Sequence, residues 1–233
     1  MNTKNPQKIV NIFNKLSYRY DFLNNLFSLG LHNLWKKKLI SLLNPRSGEA
    51  WADLCCGTGD IAFLLSDLVL PNGSVMGVDN SHQLLSIAKD KSNNLTDKVI
   101  IWKKKDIFDL DNQNIKFDGI CMSYGLRNLK NVEEGLSKVF SLLKKNGRAG
   151  FLDFNNSRNK SFSSIFQKIY LRFIVVPIAV LFDLKDEYKY IEDSIKEFPN
   201  GNKLLEISHS TGFKEAKYIT LFGGQMGLLI LKK

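Results

Sequence analysis

The stretch from Trp51 to Asp60 constrains the fold of this chain more than any other part of it. It reads Trp51-Ala-Asp-Leu-Cys-Cys-Gly-Thr-Gly-Asp60, a short apolar run that breaks into glycines and leads into an amphipathic helix pattern ending near Leu68. A strand, a glycine turn and a helix start in this order form a nucleotide-binding corner. Glycine lets the backbone pass close beneath a ligand because it has no Cβ atom. We therefore expect an α/β fold with a nucleotide-like ligand at this turn.

A second carboxylate supports a ribose-containing ligand. Asp79 ends the next apolar run, which begins at Ser74, and it follows Gly59 by twenty residues. A carboxylate at the end of the second strand accepts hydrogen bonds from ribose hydroxyls. The third position after Gly59 is Ala62, which the dinucleotide fingerprint also allows. The glycines alone therefore leave NAD open as the ligand.

Strand and helix patterns alternate from residue 49 onward. Strands are predicted at about 49–55, 74–79, 98–102, 117–122 and 148–154, with helices over 81–91, 132–143 and 201–211. Repeated β-α units of this kind predict a parallel sheet with helices on both faces. The last two strands, 213–221 and 226–231, are joined by so short a link that they must pair antiparallel. The predicted fold class is α/β: a Rossmann-like, seven-stranded, mostly parallel sheet with an antiparallel last strand, as in class I methyltransferases.

Two segments of this predicted single domain, 1–233, do not follow the alternation of strands and helices. Residues 1–47 have no strand signal and read as a helical N-terminal cap, whose Lys36-Lys37-Lys38 run is assigned to its polar face. Residues 155–198 interrupt the alternation with aromatic and apolar side chains among lysines and arginines. We interpret this insertion as a cover for a long apolar substrate. A homodimer interface or additional core is the alternative.

Composition bounds the partners and the compartment. The chain has 233 residues, 44% hydrophobic content and a formal net charge of +10. This charge favours nucleic acid, acidic substrates or an anionic membrane, although a lysine-rich surface explains it equally well. The first six residues contain no apolar signal core, and the apolar window 173–182 is too short to span a bilayer. We expect a cytoplasmic protein, with three buried thiols at Cys55, Cys56 and Cys121 and no metal.

Four motifs, spread over nearly the whole chain, point to one known family. They are Phe13 to Asn24 with Ser28-Leu-Gly-Leu-His32 and Trp35; Asp53 to Asp60; Ser123-Tyr-Gly-Leu-Arg-Asn128; and Leu143 to Arg148 running into Asp153-Phe154. With these motifs the chain resembles the MenG/UbiE family of quinone C-methyltransferases. Asp-Leu-Cys-Cys-Gly and the ending Phe222 to Ile230 look most like its demethylphylloquinone branch.

The departures from the family pattern are mild. The chain lacks the C-terminal histidine usual in the ubiquinone and menaquinone branch. It has Asn146 where proline or glycine is common, and Asp153 where glutamate is common.

The resemblance implies S-adenosylmethionine as the cofactor, bound by Thr58, Asp79, Asp106, Ile107 and Ser123. The residue types agree with this. Asp79 suits the ribose, and Asp106 suits the adenine amino group with Ile107 against the ring. Gly57, Thr58 and Gly59 allow close passage of the ligand, and Asn80 adjoins Asp79. Asp53 is expected to orient the glycine loop or meet the cofactor's ammonium; capping of local backbone N–H groups is the alternative.

The implied reaction is methyl transfer to a ring carbon of a reduced quinone. The favoured substrate is demethylphylloquinol, giving phylloquinol, with demethylmenaquinol or another prenyl benzoquinol as the alternative. Arg127 and Asn128 are the catalytic candidates. Arginine stays protonated, so Arg127 would stabilise a phenolate or hold a water that Asn128 positions. A salt bridge from Arg127 to a helix carboxylate such as Glu133 is the structural alternative.

The substrate side is expected to be lined by Tyr20, Asp21, Asn24, His32 and Tyr124, although a lone histidine is more often structural. The expected partners are a lipophilic quinol and, because lysines lie beside aromatic residues, a membrane surface contacted peripherally. A nucleic-acid methyltransferase is disfavoured because no proline follows strand 4 at Ser123-Tyr124. A non-catalytic cofactor-binding protein is disfavoured by Asp79 and the Arg127-Asn128 pair.

Overall fold

The computed structural model describes residues 6–17, 20–28, 30–93, 100–111, 113–156 and 185–233. Of the predicted insertion, 155–198, only the two ends fall within these ranges. Its aromatic residues Phe162, Phe166, Tyr170, Phe173 and Phe182 lie outside them. The helical residues Tyr20, Asn24 and Tyr188 are described by their backbone alone.

The described strands form one sheet in the order β3-β2-β1-β4-β5-β7-β6. Their bounds are β1 Ala50–Leu54, β2 Ser74–Asp79, β3 Ile100–Lys104, β4 Phe117–Ser123, β5 Leu143–Phe154, β6 Glu215–Leu221 and β7 Met226–Lys232. β7 runs antiparallel to both β5 and β6, whereas the other neighbouring pairs are parallel. The predicted mostly parallel sheet with an antiparallel last strand is confirmed.

Helices precede the sheet and connect its strands. Their bounds are α1 Pro6–Leu16, α2 Tyr20–Phe27, α3 Leu31–Leu43, α4 Asp60–Val69, α5 His82–Asn93, α6 Val132–Leu142, α7 Lys185–Glu197 and α8 Gly201–Ser210. Ser81 caps α5 as expected, because its Oγ accepts a hydrogen bond from the Leu84 N–H at 3.1 Å. No helix in the described ranges is long and apolar enough to cross a bilayer.

Both faces of the sheet are covered because its central strands are apolar on both sides. In β1 only the first residue is not fully buried. Leu39 of α3 and Leu65 of α4 pack on the face that contains Trp51. Leu136 of α6 and Leu204 of α8 pack on the opposite face. This arrangement leaves the carboxyl ends of the parallel strands as the edge where a ligand can bind.

Strand β5 differs most from its predicted bounds. It begins at Leu143 rather than Arg148, and it runs through Asn146-Gly147, which the sequence pattern predicts as a turn. Asn146 adopts a φ of 62°, and the pairing register with β4 shifts between Phe117 and Gly119. The strand thus absorbs the turn as an irregularity of the kind found at β-bulges.

Candidate active site

A cavity of about 240 Å3 opens at the carboxyl ends of β1, β2 and β4. Side chains from several separate stretches of sequence meet in it because parallel strands end at the same edge of the sheet. The predicted site residues in its lining are Gly57, Asp79, Asn80, Asp106, Ser123, Tyr124 and Asn128. The structure therefore brings together most of the predicted cofactor residues and one of the two catalytic candidates.

The glycine loop turns sharply beside this cavity. Gly57 and Gly59 adopt φ angles of 55° and 90°, in the left-handed region that glycine occupies without strain. A Cβ at Gly59 would lie 2.6 Å from the Trp102 ring, so a larger side chain does not fit there. The loop is consequently held close to β3 while its backbone borders the cavity.

Asp79 connects the glycine loop to the end of β2. One carboxylate oxygen accepts the Gly57 N–H at 2.8 Å, and the other accepts the Ser81 N–H at 2.8 Å. Burial raises the pKa of this carboxyl group despite these hydrogen bonds. Each oxygen keeps acceptor capacity toward the cavity, since a carboxylate oxygen accepts more than one hydrogen bond.

Asp53 and Ser123 carry buried polar atoms that lack a partner. Asp53 is 1% exposed, and its Oδ2 accepts the Ala62 N–H at 3.0 Å. Its Oδ1 and the Ser123 Oγ have no hydrogen-bond partner among the described residues. Burial raises the pKa of the Asp53 carboxyl group well above its ordinary range. Such atoms are rare in folded proteins, and here they indicate a polar ligand.

Asp106 lies at the end of β3 as predicted, but Ile107 does not face the cavity. Asp106 accepts the Phe108 N–H at 3.1 Å and is 3.5 Å from the Asn80 amide nitrogen. Ile107 is 4% exposed and belongs to the core, whereas Phe108 lines the cavity. The 3-10 turn Ile107–Asp109 turns one side chain inward and its neighbour outward. The structure therefore places Phe108 rather than Ile107 in the cavity lining, and the cofactor contact of Ile107 stays a prediction.

Asp21 contacts the glycine loop, and its predicted role on the substrate side stays a prediction. Its Oδ1 accepts the hydroxyl of Thr58 at 2.6 Å, and its Oδ2 pairs with Lys91 at 2.7 Å. Ser81 donates to Asn14 of α1 at 2.6 Å, and Ile9 and Val10 line the cavity. The N-terminal cap thus closes one side of the predicted cofactor site.

His32 is a buried structural contact in this fold. It is 5% exposed, and its Nδ1 lies 2.9 Å from the hydroxyl of Ser28. Burial and the nearby charge of Lys36 lower its pKa. The substrate contacts predicted for His32, Tyr20 and Asn24 remain predictions, since the latter two side chains lie outside the described part.

Arg127 forms a buried ion pair with Asp153. Arg127 Nη1 and Asp153 Oδ1 are 2.7 Å apart, and both side chains are 4% exposed. Arg127 also donates to the Tyr124 carbonyl at 3.2 Å and to the Ser194 hydroxyl at 3.3 Å. The carboxylate partner is therefore Asp153 at the end of β5, not Glu133 as the structural alternative predicted. The catalytic role of Arg127 stays a prediction.

Asn128 reaches the cavity and is oriented from two sides. Its amide nitrogen donates to the Tyr124 carbonyl at 3.0 Å, and its Oδ1 accepts the Tyr190 hydroxyl at 2.8 Å. Burial raises the pKa of Tyr190 to about 12, so this hydroxyl is a donor at neutral pH. Sequence reasoning missed Tyr190, because nothing in the chain's local pattern links α7 to the turn at Asn128.

The site suits an adenosine cofactor with a charged tail. Asp79 and Asp106 offer acceptors to a ribose and a base, and the glycine loop admits close passage. The unpartnered Asp53 and Ser123 atoms lie beside the same loop. The residues present therefore fit S-adenosylmethionine.

Solved structures confirm the fold. A SAM-dependent methyltransferase from Aquifex aeolicus aligns with a TM-score of 0.64 at 14% identity, covering 91% of this chain and 97% of that one. At this identity the likeness concerns the fold alone.

Sequence comparison reaches further. The 2-phytyl-1,4-naphtoquinone methyltransferase of Nostoc punctiforme is 37% identical over 227 residues, covering 97% of this chain and 98% of the relative. The chloroplastic 2-phytyl-1,4-beta-naphthoquinone methyltransferase of Arabidopsis thaliana is 37% identical over 222 residues, covering 94% and 85%. A family model described as the ubiE/COQ5 methyltransferase family matches residues 1–232. The chain therefore belongs to the ubiE/COQ5 methyltransferase family and is an S-adenosylmethionine-dependent methyltransferase.

Proposed function

We propose that this chain methylates a ring carbon of a prenylated 1,4-naphthoquinol, the reduced form of the quinone named in its relatives. The favoured acceptor is 2-phytyl-1,4-naphthoquinol, which makes the reaction a late step of phylloquinone formation. The observation that most directly supports this proposal is that Asn128 and Tyr124 line the same cavity as Asp79 and Asp106. A quinol hydroxyl held by Asn128 would therefore lie next to the cofactor.

Each of the cofactor-binding residues is assigned to one part of S-adenosylmethionine. Asp79 holds the ribose hydroxyls, Asp106 with Asn80 meets the adenine amino group, and Phe108 lies beside the ring. Gly57, Thr58 and Gly59 border the ribose and the methionine part. The cofactor supplies a methyl group already activated by the positive charge of its sulfonium. The protein's main task is then to align the acceptor carbon, and alignment is worth several kcal/mol, roughly 7–11 at most.

A ring carbon becomes a strong nucleophile only when a ring hydroxyl loses its proton. Asn128 uses one N–H on the Tyr124 carbonyl, and within the described chain its second N–H is available for a quinol oxygen. Arg127 adds positive charge near this turn, although Asp153 compensates much of it. Formation of the new carbon–methyl bond would break the methyl–sulfur bond and release S-adenosylhomocysteine. Loss of the proton on that carbon to water would then restore the aromatic ring. We infer that Arg127 and Asn128 favour the oxyanion form of the quinol.

The lipid nature of this substrate implies peripheral contact with a membrane. Support comes from the net charge of +10 and from the insertion 155–198, which mixes aromatic and basic side chains. A homodimer interface at the insertion remains the alternative use of that segment.

The decisive test is methyl transfer from labelled S-adenosylmethionine to a panel of acceptors. The panel contains reduced and oxidised 2-phytyl-1,4-naphthoquinone, reduced demethylmenaquinone, a prenyl benzoquinol and bulk transfer RNA. We expect label on the reduced phytyl naphthoquinone and none on its oxidised form, since only the quinol ring is nucleophilic. Preferential labelling of RNA, or cofactor binding without transfer to any quinol, would overturn the proposal.

A further inference from the structure

A row of four lysines lies at the edge of the sheet opposite the cavity. Lys116 directly precedes β4, Lys145 lies near the start of β5, Lys233 follows the end of the antiparallel β7, and Lys214 directly precedes β6. These strands are neighbours in the order β4-β5-β7-β6. Because neighbouring strands are about 4.8 Å apart, the row extends over roughly 14 Å.

The row lines a cleft of about 530 Å3, which we call the basic cleft. Its lining consists of Lys116, Phe140, Leu143, Lys144, Lys145, Gly212, Lys214 and Lys233. No acidic residue belongs to this lining.

The acids beside the basic cleft do not balance its charge. Asp118 is paired with Lys144 at 2.7 Å. Glu215 is paired with Lys232, which is not part of the lining, at 3.0 Å. Within the described chain, the four ammonium groups of the row therefore have no carboxylate partner.

Two lysines of the row also stabilise the end of α6. Lys116 donates to the Ser141 carbonyl at 2.6 Å, and Lys233 donates to the carbonyls of Phe140 and Leu143 at 2.7 and 2.9 Å. Cations are favourable at the C-terminus of a helix. Burial lowers the pKa of Lys233, and the nearby charge of Lys116 lowers it further. The two ammonium groups therefore repel each other, and a bound anion would offset this repulsion.

Lys145 and Lys214 have no comparable structural role. Both side chains are exposed, and the described residues offer neither ammonium group a hydrogen bond. They are nevertheless part of the same row, because the starts of β5 and β6 lie at one edge of the sheet. The row therefore presents two committed and two free cations to one ligand.

The shape of the row selects the class of anion. A single phosphate ion is too small to contact all four lysines. An extended peptide advances about 3.3 Å per residue, so about five residues with alternating carboxylates match the row. Single-stranded nucleic acid binds through aromatic rings on which its bases stack. The Phe140 ring is already contacted by Lys233 at 4.3 Å and by the Phe213 ring at 5.1 Å, which disfavours that use.

We propose that the basic cleft docks an extended acidic segment of a partner protein. The carboxylates of the segment would face the row of lysines, and complementary charge of this kind favours fast association. The basic cleft lies at the edge of the sheet away from the cavity, so a docked partner leaves the reaction site open. The proposal does not depend on the quinol as acceptor.

Peptide binding to the full chain tests this proposal. The probe is a fluorescent octapeptide of alternating glutamate and serine, measured by anisotropy, and its glutamine counterpart is the uncharged control. We expect binding of the glutamate peptide alone. Lys145→Gln with Lys214→Gln should weaken it about 3- to 10-fold, since exposed ion pairs are individually weak. Lys37→Gln with Lys38→Gln removes the same charge from exposed positions of α3 and should change the affinity less than about 2-fold.

Methyl transfer should be equal in the wild type and in the variant of Lys145 and Lys214. Added salt should weaken peptide binding. Failure of the wild type to bind the glutamate peptide, or equal weakening by the two double variants, would overturn the proposal. Displacement of the peptide by equimolar diphosphate would assign the cleft to small anions instead, and tighter binding of transfer RNA than of the peptide would assign it to nucleic acid.

Discussion

Burial of the Asp53 carboxyl group lowers the stability of the protein at neutral pH, because its charged form loses hydration. Its neighbours are Lys36, Asp60, Asp79 and the thiols of Cys56 and Cys121. Burial raises its pKa above the ordinary value of 3.8, so folding favours the protonated acid. The contribution of the protonated Asp53 carboxyl group to the free energy of unfolding is complete below the ordinary pKa. It is lost as the pH rises through the raised pKa.

Asp53→Asn should therefore stabilise the cofactor-free protein at pH 7.5. We expect a measurable gain in the free energy of unfolding, because the asparagine amide avoids the cost of a buried charge. The gain should disappear near pH 4, and cofactor affinity should fall at pH 7.5. Urea unfolding across this pH range and calorimetric titration measure both effects. Asp90→Asn, on the exposed face of α5, is the control, and equal behaviour of the two variants would contradict the assignment.

Arg127 and Asp153 combine structure with a proposed catalytic role. Arg127→Ala leaves a buried carboxylate unpaired, so we expect a loss of about 3–5 kcal/mol in the free energy of unfolding. Loss of turnover in that variant would then say little about mechanism. The double variant Arg127→Met with Asp153→Leu removes both charges and should recover much of the stability. If it recovers stability and full turnover as well, Arg127 takes no part in catalysis.

At the level of elements, α7 is tied to the site by two hydrogen bonds. Tyr190 donates to Asn128, and Ser194 accepts from Arg127. This helix is the described end of the predicted insertion, so the segment that we assign to the substrate contacts both catalytic candidates. The orientation of Asn128 therefore depends on a part of the chain distant in sequence.

Tyr190→Phe should lower kcat by roughly 2- to 10-fold, the effect of one lost hydrogen bond, without changing cofactor affinity. The matched control is Tyr218→Phe. The Tyr218 hydroxyl donates a hydrogen bond of 2.9 Å to Asn155, and neither residue lines the cavity. Steady-state kinetics with both substrates varied separates kcat from the Michaelis constants. Equal kinetics of Tyr190→Phe and the wild type would remove this tyrosine from the positioning of Asn128.

Helix α2 is expected to slow cofactor release. Asp21 joins it to Thr58 of the glycine loop and to Lys91 of α5. Because Asp21 and Lys91 are partly exposed, their ion pair is modest, and Asp21→Ala should speed dissociation about 3- to 10-fold. Stopped-flow release of S-adenosylhomocysteine measures this rate, and added salt should narrow the difference. Glu206→Ala, which breaks the exposed Lys203–Glu206 pair on α8, should leave the rate unchanged.

At the scale of the whole molecule, we expect the positions of the lysines relative to the cavity to determine how the protein faces a membrane, more than the net charge of +10 does. Lys37 and Lys38 lie in the middle of α3, directly after Lys36, which pairs with Asp60 at the start of α4. The basic cleft lies at the edge of the sheet opposite the cavity and is lined by Lys116, Lys144, Lys145, Lys214 and Lys233. A quinol that enters the cavity from a membrane requires the carboxyl-end edge of the sheet, which contains the cavity, to face the lipid. The edge with the basic cleft would then face away.

Vesicle binding should follow this polarity. Lys37→Gln with Lys38→Gln should weaken co-sedimentation with phosphatidylglycerol vesicles more than Lys145→Gln with Lys214→Gln, although both pairs remove two charges. Binding should also decrease with salt and be weak on zwitterionic vesicles. A larger effect of the second pair would mean that the catalytic edge faces away from the lipid.

The sequence by itself determined the order of strands and helices, the antiparallel last strand and the cofactor corner. These features depend on local periodicity and on which residues end each strand, and both are visible without the fold. Thus Asp79, Asp106 and Ser123 could be predicted in one cavity because parallel strands end at a common edge.

Only the tertiary structure decided which partners the long polar side chains take. Lys36 pairs with Asp60 across 24 residues, Arg127 with Asp153 across 26, and Tyr190 with Asn128 across 62. Packing brings such groups together, and a flexible side chain can turn inward or outward from the same helix position. That is why Lys36 looked like a surface residue and proves to be buried, with its ammonium group paired to Asp60.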